Sequence, residues 1–431
     1  MTSVTLIGLG YVGLPTAALL ARAGHQVHGV DINDALITSL NNGQCNLSEA
    51  DVNSLVVSAL ETGNLTVSTQ IQPADIFVIC VPTPITPDKT ADLSMVKAAT
   101  HALAPYVKAG NLIILESTSP VGTTERVIGK VLQEHNFDIH NDIDICYCPE
   151  RVFPGNTIKE IEDNDRIIGG LTECAAQKGK AFYASFCRGE AVLTHAATAE
   201  FSKLMENTYR DVNIALANSF AHMAESESFD IDINDVIDLA NMHPRVNVHR
   251  PGAGVGGHCI PVDPWFLIET YGEKASLLQS ARLINDHQPL QLLNQAKRAG
   301  LKSGSKVAIL GAAYRADIDD ARDSPTETLI NKLAQDGYSW RTHDPHVTQF
   351  HLHGPNTVDP NLTQDLNLTL KDVDAVFIMT GHKAYKTRLK DMDTLTRKGA
   401  ILVDGVSLFS PSDLTLWSGP SITVGRSGGY S

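Results

Sequence analysis

A chain of 431 residues, 43% hydrophobic and 19% charged, holds enough apolar sequence for two or three packed domains and too little charge for a disordered one. Its formal net charge of −15 opposes general attraction to nucleic acid or an anionic membrane surface, while leaving room for a local basic pocket around a small phosphate. The sequence lacks a basic start with a long apolar run, and it lacks any stretch near the roughly 20 apolar residues of a membrane span. With seven scattered cysteines, this predicts a cytoplasmic protein with reduced thiols.

Taken in chain order, short β-rich runs at 4–7, 26–30, 75–81, 112–115 and 143–148 alternate with helical stretches, the rhythm of a parallel, doubly wound sheet. Cys146 and Cys148 alternate with Ile145 and Tyr147 in the last of these runs, so they read as buried structural residues and no metal site is expected. Residues 198–225 form a helical stretch without Gly or Pro, longer than the usual roughly 10–14 residues and suited to linking domains or packing on a second subunit. Strand-like runs resume at 307–310, 375–379 and 401–403.

The expected fold is therefore α/β, with two Rossmann-like doubly wound domains joined by a long central helix and helical region. Its expected divisions are a first α/β domain at 1–195, a central helical domain at 196–295, a second α/β domain at 300–415 and a Gly/Ser-rich mobile tail at 416–431. The two α/β halves read as distant versions of one another.

The run Gly8-Leu9-Gly10-Tyr11-Val12-Gly13 follows the first strand and opens a helical run at 14–23. In that context GxGxxG means a tight turn, a close backbone approach and a pyrophosphate at a helix N-terminus. Asp31, about 20 residues on at the end of the second strand, suits the adenosine ribose hydroxyls, and its charge would repel a 2′-phosphate, which favours NAD over NADP. A glycine turn beside an ordinary strand-end aspartate is the bland alternative. Thr83 and Thr118, on loops beyond two further strands, are candidate cofactor contacts, although either could simply cap a helix.

The most informative stretch is GVGGHCIPVDP, from Gly254 to Pro264. Its glycines admit a ligand close to the backbone, and the prolines suit the start of a helix that Cys259 precedes. A thiol there feels the positive end of the helix, which favours a reactive thiolate. A small buried residue in a turn is the usual alternative for a cysteine. Beside NAD, a thiolate can add to an aldehyde, and the resulting thiohemiacetal can lose a hydride to become a thioester. Simple alcohol oxidation needs no nucleophile, so cysteine plus NAD points to an acid as product.

On the long helix, Lys203, Asn207 and Arg210 share a face at i, i+4 and i+7. The apolar neighbours of Lys203 argue for a pocket lysine able to carry a proton, against the bland reading of a solvated stripe. Glu150 and Arg151 close another strand; the carboxylate could orient a water and the guanidinium could hold a diphosphate, or the two could form a local ion pair.

Together GLGYVGLP, ESTSPVGTTE, CPERVFPG, the Lys203–Asn207 helix and GVGGHCIPVDPWF resemble the UDP-glucose/GDP-mannose dehydrogenase superfamily, from about residue 3 to residue 410. CPERVFPG, NMHPRVN and GGHCIPVDPWF are most similar to the branch acting on UDP-N-acetyl-D-mannosamine. The resemblance implies a homodimer that oxidises a UDP-sugar. It implies Cys259 as nucleophile, Lys203 as proton carrier, and Asn207, Asp263 and Glu150 around the reacting carbon and water. It further implies substrate contacts from Arg151, Val152, Lys203, Asn207, Arg210, Gly254, Tyr314 and Arg315, and from His243 and Arg245 across a dimer interface.

For the cofactor it implies Gly8, Gly10, Tyr11, Val12, Gly13, Asp31, Thr83, Thr118 and Arg322. The second α/β domain lacks a full GxGxxG at 307–315, which fits a uridine nucleotide better than a second dinucleotide. Two departures stand out: Tyr314-Arg315 replaces the family's frequent Phe-Lys, and the basic residue common after Asp404 is missing from Gly405-Val406-Ser407. Competing readings are the same chemistry on UDP-glucose, UDP-N-acetylglucosamine or GDP-mannose, a single-step hydroxyacid dehydrogenase with one NADH per substrate, and a non-catalytic nucleotide-sugar sensor.

Overall fold

The computed structural model describes residues 2–47, 49–152, 155–226, 229–352 and 357–426. They fall into two compact units, one of residues 1–206 with 265–272, the other of 207–264 with 273–431.

The first unit is built on strands β1 (Ser3–Ile7), β2 (Gln26–Val30), β3 (Leu65–Ser68), β4 (Ile76–Ile79), β5 (Leu112–Leu115), β6 (Asp144–Tyr147), β7 (Arg166–Gly170) and β8 (Ala191–His195), in the sheet order β3-β2-β1-β4-β5-β6-β7-β8. The central strands are buried nearly throughout, which is why they read as continuous apolar runs: crossover helices cover both faces. β1 to β6 are mutually parallel, whereas β7 pairs with β6 antiparallel. The sheet is therefore mixed at the β7-β8 end and not parallel throughout.

In the second unit the order is β11-β10-β9-β12-β13-β14, from β9 (Lys306–Leu310), β10 (Ser339–His343), β11 (Leu362–Thr363), β12 (Ala375–Ile378), β13 (Ile401–Asp404) and β14 (Ser421–Thr423), all parallel. Both sheets thus begin with one winding, the first strand lying between the second and the fourth. The likeness extends to single bonds: Gly8 N donates to Val30 O at 2.8 Å, and Gly311 N donates to His343 O at 2.8 Å. Each sheet therefore has a switch point where ligands of open α/β sheets bind.

Part of the segment expected to be a mobile tail is a strand of the second sheet. Residues 421–423 pair with β13 as the last strand of the sheet, and Ile422 and Val424 are buried in the apolar core; the remaining tail, 427–431, lies outside the described residues. The helix Ala196–Ser226 is unbroken, as the Gly- and Pro-free sequence predicts. Among the described residues no helix is long and apolar enough to cross a membrane.

Candidate active site

The dinucleotide turn is shaped by what its glycines exclude. Gly8 has φ +98°, and a Cβ there would lie 2.7 Å from Cys80 O; a Cβ on Gly13 would lie 1.9 Å from Gly8 O. At Gly10 a Cβ would meet nothing within 4 Å, so internal packing does not demand that glycine, and the open space suits a ligand approaching the backbone. The helix Gly13–Arg22 begins with no side-chain cap and no acidic residue in its first turn, leaving its positive end for an anion.

Asp31 follows β2 and is held by the backbone: Leu9 N donates to Oδ2 and Asn33 N to Oδ1, both at 2.9 Å. A carboxylate has about four acceptor sites, so those left suit ribose hydroxyls. These residues fit NAD. Thr83 and Thr118 meet in the structure, the Thr83 hydroxyl donating to Thr118 O, while Ser117 Oγ donates to Val81 O at 2.6 Å. The loops beyond β4 and β5 are thereby tied together at the edge of the sheet that carries the glycine turn.

Glu49, which the sequence reading passes over, anchors this side. Its carboxylate accepts from the Tyr11 phenol, from Thr157 Oγ1 at 2.7 Å and from Gly155 N and Thr157 N at 3.0 Å. Burial acts to raise its pKa, but the donated hydrogen bonds pull it below the usual carboxylate value, whereas burial and then Glu49 push the Tyr11 phenol up. Tyr11 thus links the glycine turn to the segment after Val152. Just before Val152, Glu150 Oε1 accepts from Arg151 N at 2.6 Å. Arg151 pairs with Glu206 and donates to Asp165 O at 3.1 Å, so in this chain its guanidinium is engaged by protein groups. Lys203 is buried on the long helix, 9% exposed.

The second unit carries the thiol. Cys259 is exposed in the turn leading to the helix Asp263–Tyr271, and its carbonyl accepts from Val262 N at 3.1 Å and Asp263 N at 2.9 Å. It therefore sits at the N-terminal end of that helix, as its sequence context predicts. Asp263, 3% exposed, accepts a hydrogen bond from Asn207 Nδ2 at 2.6 Å.

Glycines explain how the loop reaches the second sheet. A Cβ on Gly257 (φ +90°) would stand 3.0 Å from the Tyr314 ring, and Gly257 N donates to Arg322 O at 3.0 Å. Arg322 grips Asp320 with Nε at 2.9 and 3.1 Å and Nη2 at 2.6 Å; His258 Nδ1 lies 4.0 Å from the same carboxylate. Burial and then the Arg322 charge lower the His258 pKa. Burial, then Asp320 and Cys259, raise that of Tyr314. Arg322, Tyr314 and Cys259 therefore share one electrostatic neighbourhood. In the same loop Gly254 has φ +127°, and a Cβ there would stand 3.0 Å from Pro325, the first residue of the helix Pro325–Gln335.

The comparisons with known proteins agree with this division of labour. Residues 2–187 match the NAD binding domain of the UDP-glucose/GDP-mannose dehydrogenase family, 197–287 its central domain and 308–411 its UDP binding domain. The chain belongs to the UDP-glucose/GDP-mannose dehydrogenase family. It is an NAD-dependent nucleotide-sugar dehydrogenase. It is 42% identical over 386 residues to a UDP-N-acetyl-D-mannosamine dehydrogenase of Methanocaldococcus jannaschii, covering 89% of this chain and 86% of that protein. A structure of the Pyrococcus horikoshii UDP-D-ManNAc dehydrogenase matches with TM-score 0.89 and 35% identity over 100% of both chains. The UDP-N-acetyl-mannosamine dehydrogenase Cap5O of Staphylococcus aureus matches with TM-score 0.87 and 38% identity over 99% of each.

In this dehydrogenase the second sheet repeats the acid of the first, with a different outcome. Asp344 follows β10 as Asp31 follows β2, but it is 0% exposed. Ala312 N, Ala313 N and His382 Nε2 reach Oδ2 at 2.8, 2.9 and 3.0 Å, while His346 N and Val347 N reach Oδ1 at 2.8 and 3.0 Å. Its acceptor sites are filled by protein donors, so it has no capacity for a ribose like that of Asp31. Asp404 is likewise consumed, accepting from Val406, Leu408 and Phe409 N.

Asp317, His346 and His382 approach within metal-ligand spacing. Yet His382 Nδ1 accepts from Asp317 N at 3.0 Å and Nε2 serves Asp344, which makes the group a hydrogen-bonded network. Arg210, His243 and Arg245 are exposed. Arg245 N donates to His243 Nδ1 at 3.3 Å, while the Arg210 charge contributes, after burial, to lowering the pKa of His249.

Proposed function

We propose that this dehydrogenase oxidises the C6 alcohol of UDP-N-acetyl-D-mannosamine to the carboxylate of UDP-N-acetyl-D-mannosaminuronate, through a thiohemiacetal and a thioester on Cys259. The observation that carries this reading is the exposed thiol at the head of the helix Asp263–Tyr271, followed one turn later by the Asn207–Asp263 pair. A two-electron hydroxyacid dehydrogenase has no use for that thiol. The sugar is assigned from similarity to proteins of that printed activity.

Lys203 takes the alcohol proton as the aldehyde forms. The Cys259 thiolate then adds to the aldehyde carbon, with the oxygen of the adduct stabilised by Lys203 and Asn207. NAD, when bound, accepts the hydride at each of the two oxidations, one molecule per step. Glu150 takes a proton from the water that attacks the thioester, and Asp263 holds the Asn207 amide in place. Arg151, Val152, Arg210, Gly254, Tyr314 and Arg315 bind the substrate, and His243 and Arg245 serve the active site of a second copy in a homodimer. We place the enzyme in the cytoplasm, in keeping with seven cysteines that form no disulfide among the described residues.

The test is NADH yield per molecule of limiting substrate, for wild type and Cys259→Ser. Two NADH from UDP-N-acetyl-D-mannosamine, with complete turnover lost in the variant, is the expected result. One NADH in both would overturn the thioester route, and activity confined to UDP-glucose or UDP-N-acetylglucosamine would overturn the sugar.

A further inference from the structure

Arg166, the first residue of β7, is 5% exposed, and burying a guanidinium is costly unless charge and hydrogen bonds compensate it. Its surroundings form a socket. Nη2 donates to Ile161 O at 3.0 Å, Nε lies 3.3 Å from Cys187 Sγ and Nη1 3.9 Å from Cys148 Sγ, and the guanidinium stacks 4.8 Å from the Tyr183 ring centroid. Among the described residues, the carboxylate within ion-pair distance of this cation is Glu150, with Oε2 3.6 Å from Nη1.

Behind the socket, the Tyr183 phenol donates to Glu116, a buried glutamate that also accepts from Cys80 Sγ at 2.9 Å. A chain of polar groups, Glu116–Tyr183–Arg166–Glu150, thus runs from the interior of the first unit to the carboxylate beyond β6. If the cation served only to hold β7, the Ile161 carbonyl and the tyrosine ring would suffice, and an apolar residue would fill the space at less cost. The two oxygens of Glu150 are used unequally. Oε1 accepts from Arg151 N, whereas Oε2 is buried, accepts no hydrogen bond from the described residues and faces the guanidinium.

We propose that Arg166 is the positioning residue of Glu150, holding Oε2 toward the interior so that Oε1 meets the water that hydrolyses the thioester. The inference rests on the role given above to Glu150 and Cys259. In that step the water oxygen bonds to the thioester carbon, Glu150 takes one of its protons, and the C–S bond breaks with its electron pair returning to Cys259 as thiolate. The acid product gives its remaining proton to solvent. No further oxidant is needed, because both hydrides have already left.

The experiment follows single turnovers with UDP-N-acetyl-D-mannosamine and excess NAD in wild type, Arg166→Lys, Arg166→Met and Glu150→Gln. NADH is read by absorbance, acid release by quench, and the thioester as intact protein heavier by the substrate less four hydrogens. Arg166→Lys keeps the charge but loses the planar fork. It is expected to slow acid release by about 10–100-fold, the scale of a misplaced catalytic group, while the first NADH forms at the wild-type rate and the thioester accumulates. Arg166→Met should be slower still; if it fails to fold, the lysine variant decides alone.

Acid release at the wild-type rate in Arg166→Lys, with thioester accumulating in Glu150→Gln, overturns the positioning role and leaves the Glu150 reading intact. Equal slowing of both NADH steps and acid release in Arg166→Lys marks a purely structural residue and also overturns it. Unslowed hydrolysis in Glu150→Gln removes the underlying reading and this inference with it.

Discussion

Asn207 Nδ2 donates to Asp263 Oδ2 at 2.6 Å, joining the long helix to the first residue of the helix that Cys259 precedes. The carboxylate is buried, so removing either partner leaves a polar group that the interior cannot hydrate. Asn207→Ala and Asp263→Asn are each expected to lower kcat by roughly 100-fold or more, on the scale of a lost donor to a developing oxyanion. The double variant should lose much less than the product of the two effects, because the residues act as one unit. Steady-state kinetics on all three proteins check this, and independent, multiplicative losses would contradict it.

The linkage at Asp344 predicts a pH dependence of stability. Although burial opposes ionisation, hydrogen bonds led by that from His382 lower its carboxyl pKa to about 2, against an unfolded value of about 3.9. A folded-state pKa below the unfolded one contributes stability that is present above about pH 4 and is lost as pH falls through about 2. The contribution is roughly 2–3 kcal/mol at neutral pH. Asp344→Asn should therefore melt well below wild type at pH 7, and the gap in apparent Tm should narrow as pH is lowered from 4 to 2. Thermal unfolding of the two proteins across that range measures it, and a constant gap would count against the linkage.

Much of this architecture is legible in the chain because central strands are buried on both faces. LIIL at β5 and IFVI at β4 announce themselves as apolar runs. LTVS at β3, SWRTH at β10 and SIT at β14 are short, polar or partly exposed, so periodicity cannot separate them from loop. β14 in particular lies in a Gly/Ser-rich segment whose composition suggests a tail, while its pairing with β13 is a long-range choice.

The site divides in the same way. Gly8, Asp31 and Cys259 carry their meaning in local spacing, but Glu49, Arg166 and His382 acquire theirs from partners 38, 16 and 38 positions away, at Tyr11, Glu150 and Asp344. One signal was available for Asp344. It closes β10 as Asp31 closes β2, and aligning the strand ends of the two halves would have found it.

The Tyr11–Glu49 bond separates two uses of the tyrosine. Were the phenol itself a cofactor contact, Tyr11→Phe would chiefly weaken NAD. In the structure the hydroxyl belongs to Glu49 and Thr157, so the variant leaves the ring over the turn and removes one donor from a carboxylate that retains three others. A loss of about 1 kcal/mol in stability is expected for that bond, with the NADH dissociation constant changed no more than about threefold. Fluorescence titration with NADH beside a denaturant melt distinguishes the two uses.

The long helix carries a row of apolar side chains that the described residues leave about half exposed. Tyr209, Leu216, Phe220 and Met223 are 55, 44, 41 and 60% exposed, and Leu239 and Met242 of the neighbouring helical segment are 68 and 78% exposed. Positions 209, 216, 220 and 223 recur at helical spacing, so they form a stripe. Scattered surface hydrophobics are ordinary, whereas a continuous stripe is the pattern expected of an interaction surface. A second copy of the chain is the simplest occupant, since a two-fold axis lets one patch cover its own equivalent.

Leu216→Glu with Phe220→Glu would place charges on that stripe, and the variant is expected to be monomeric by light scattering where the wild type is dimeric, with its melting temperature little changed. If His243 and Arg245 serve the partner's substrate, the monomer should also show a raised KM for the nucleotide sugar while NADH binding is retained. A variant that stays dimeric would rule out this face as the interface, and one that is monomeric with unaltered KM would keep the interface but remove the shared site.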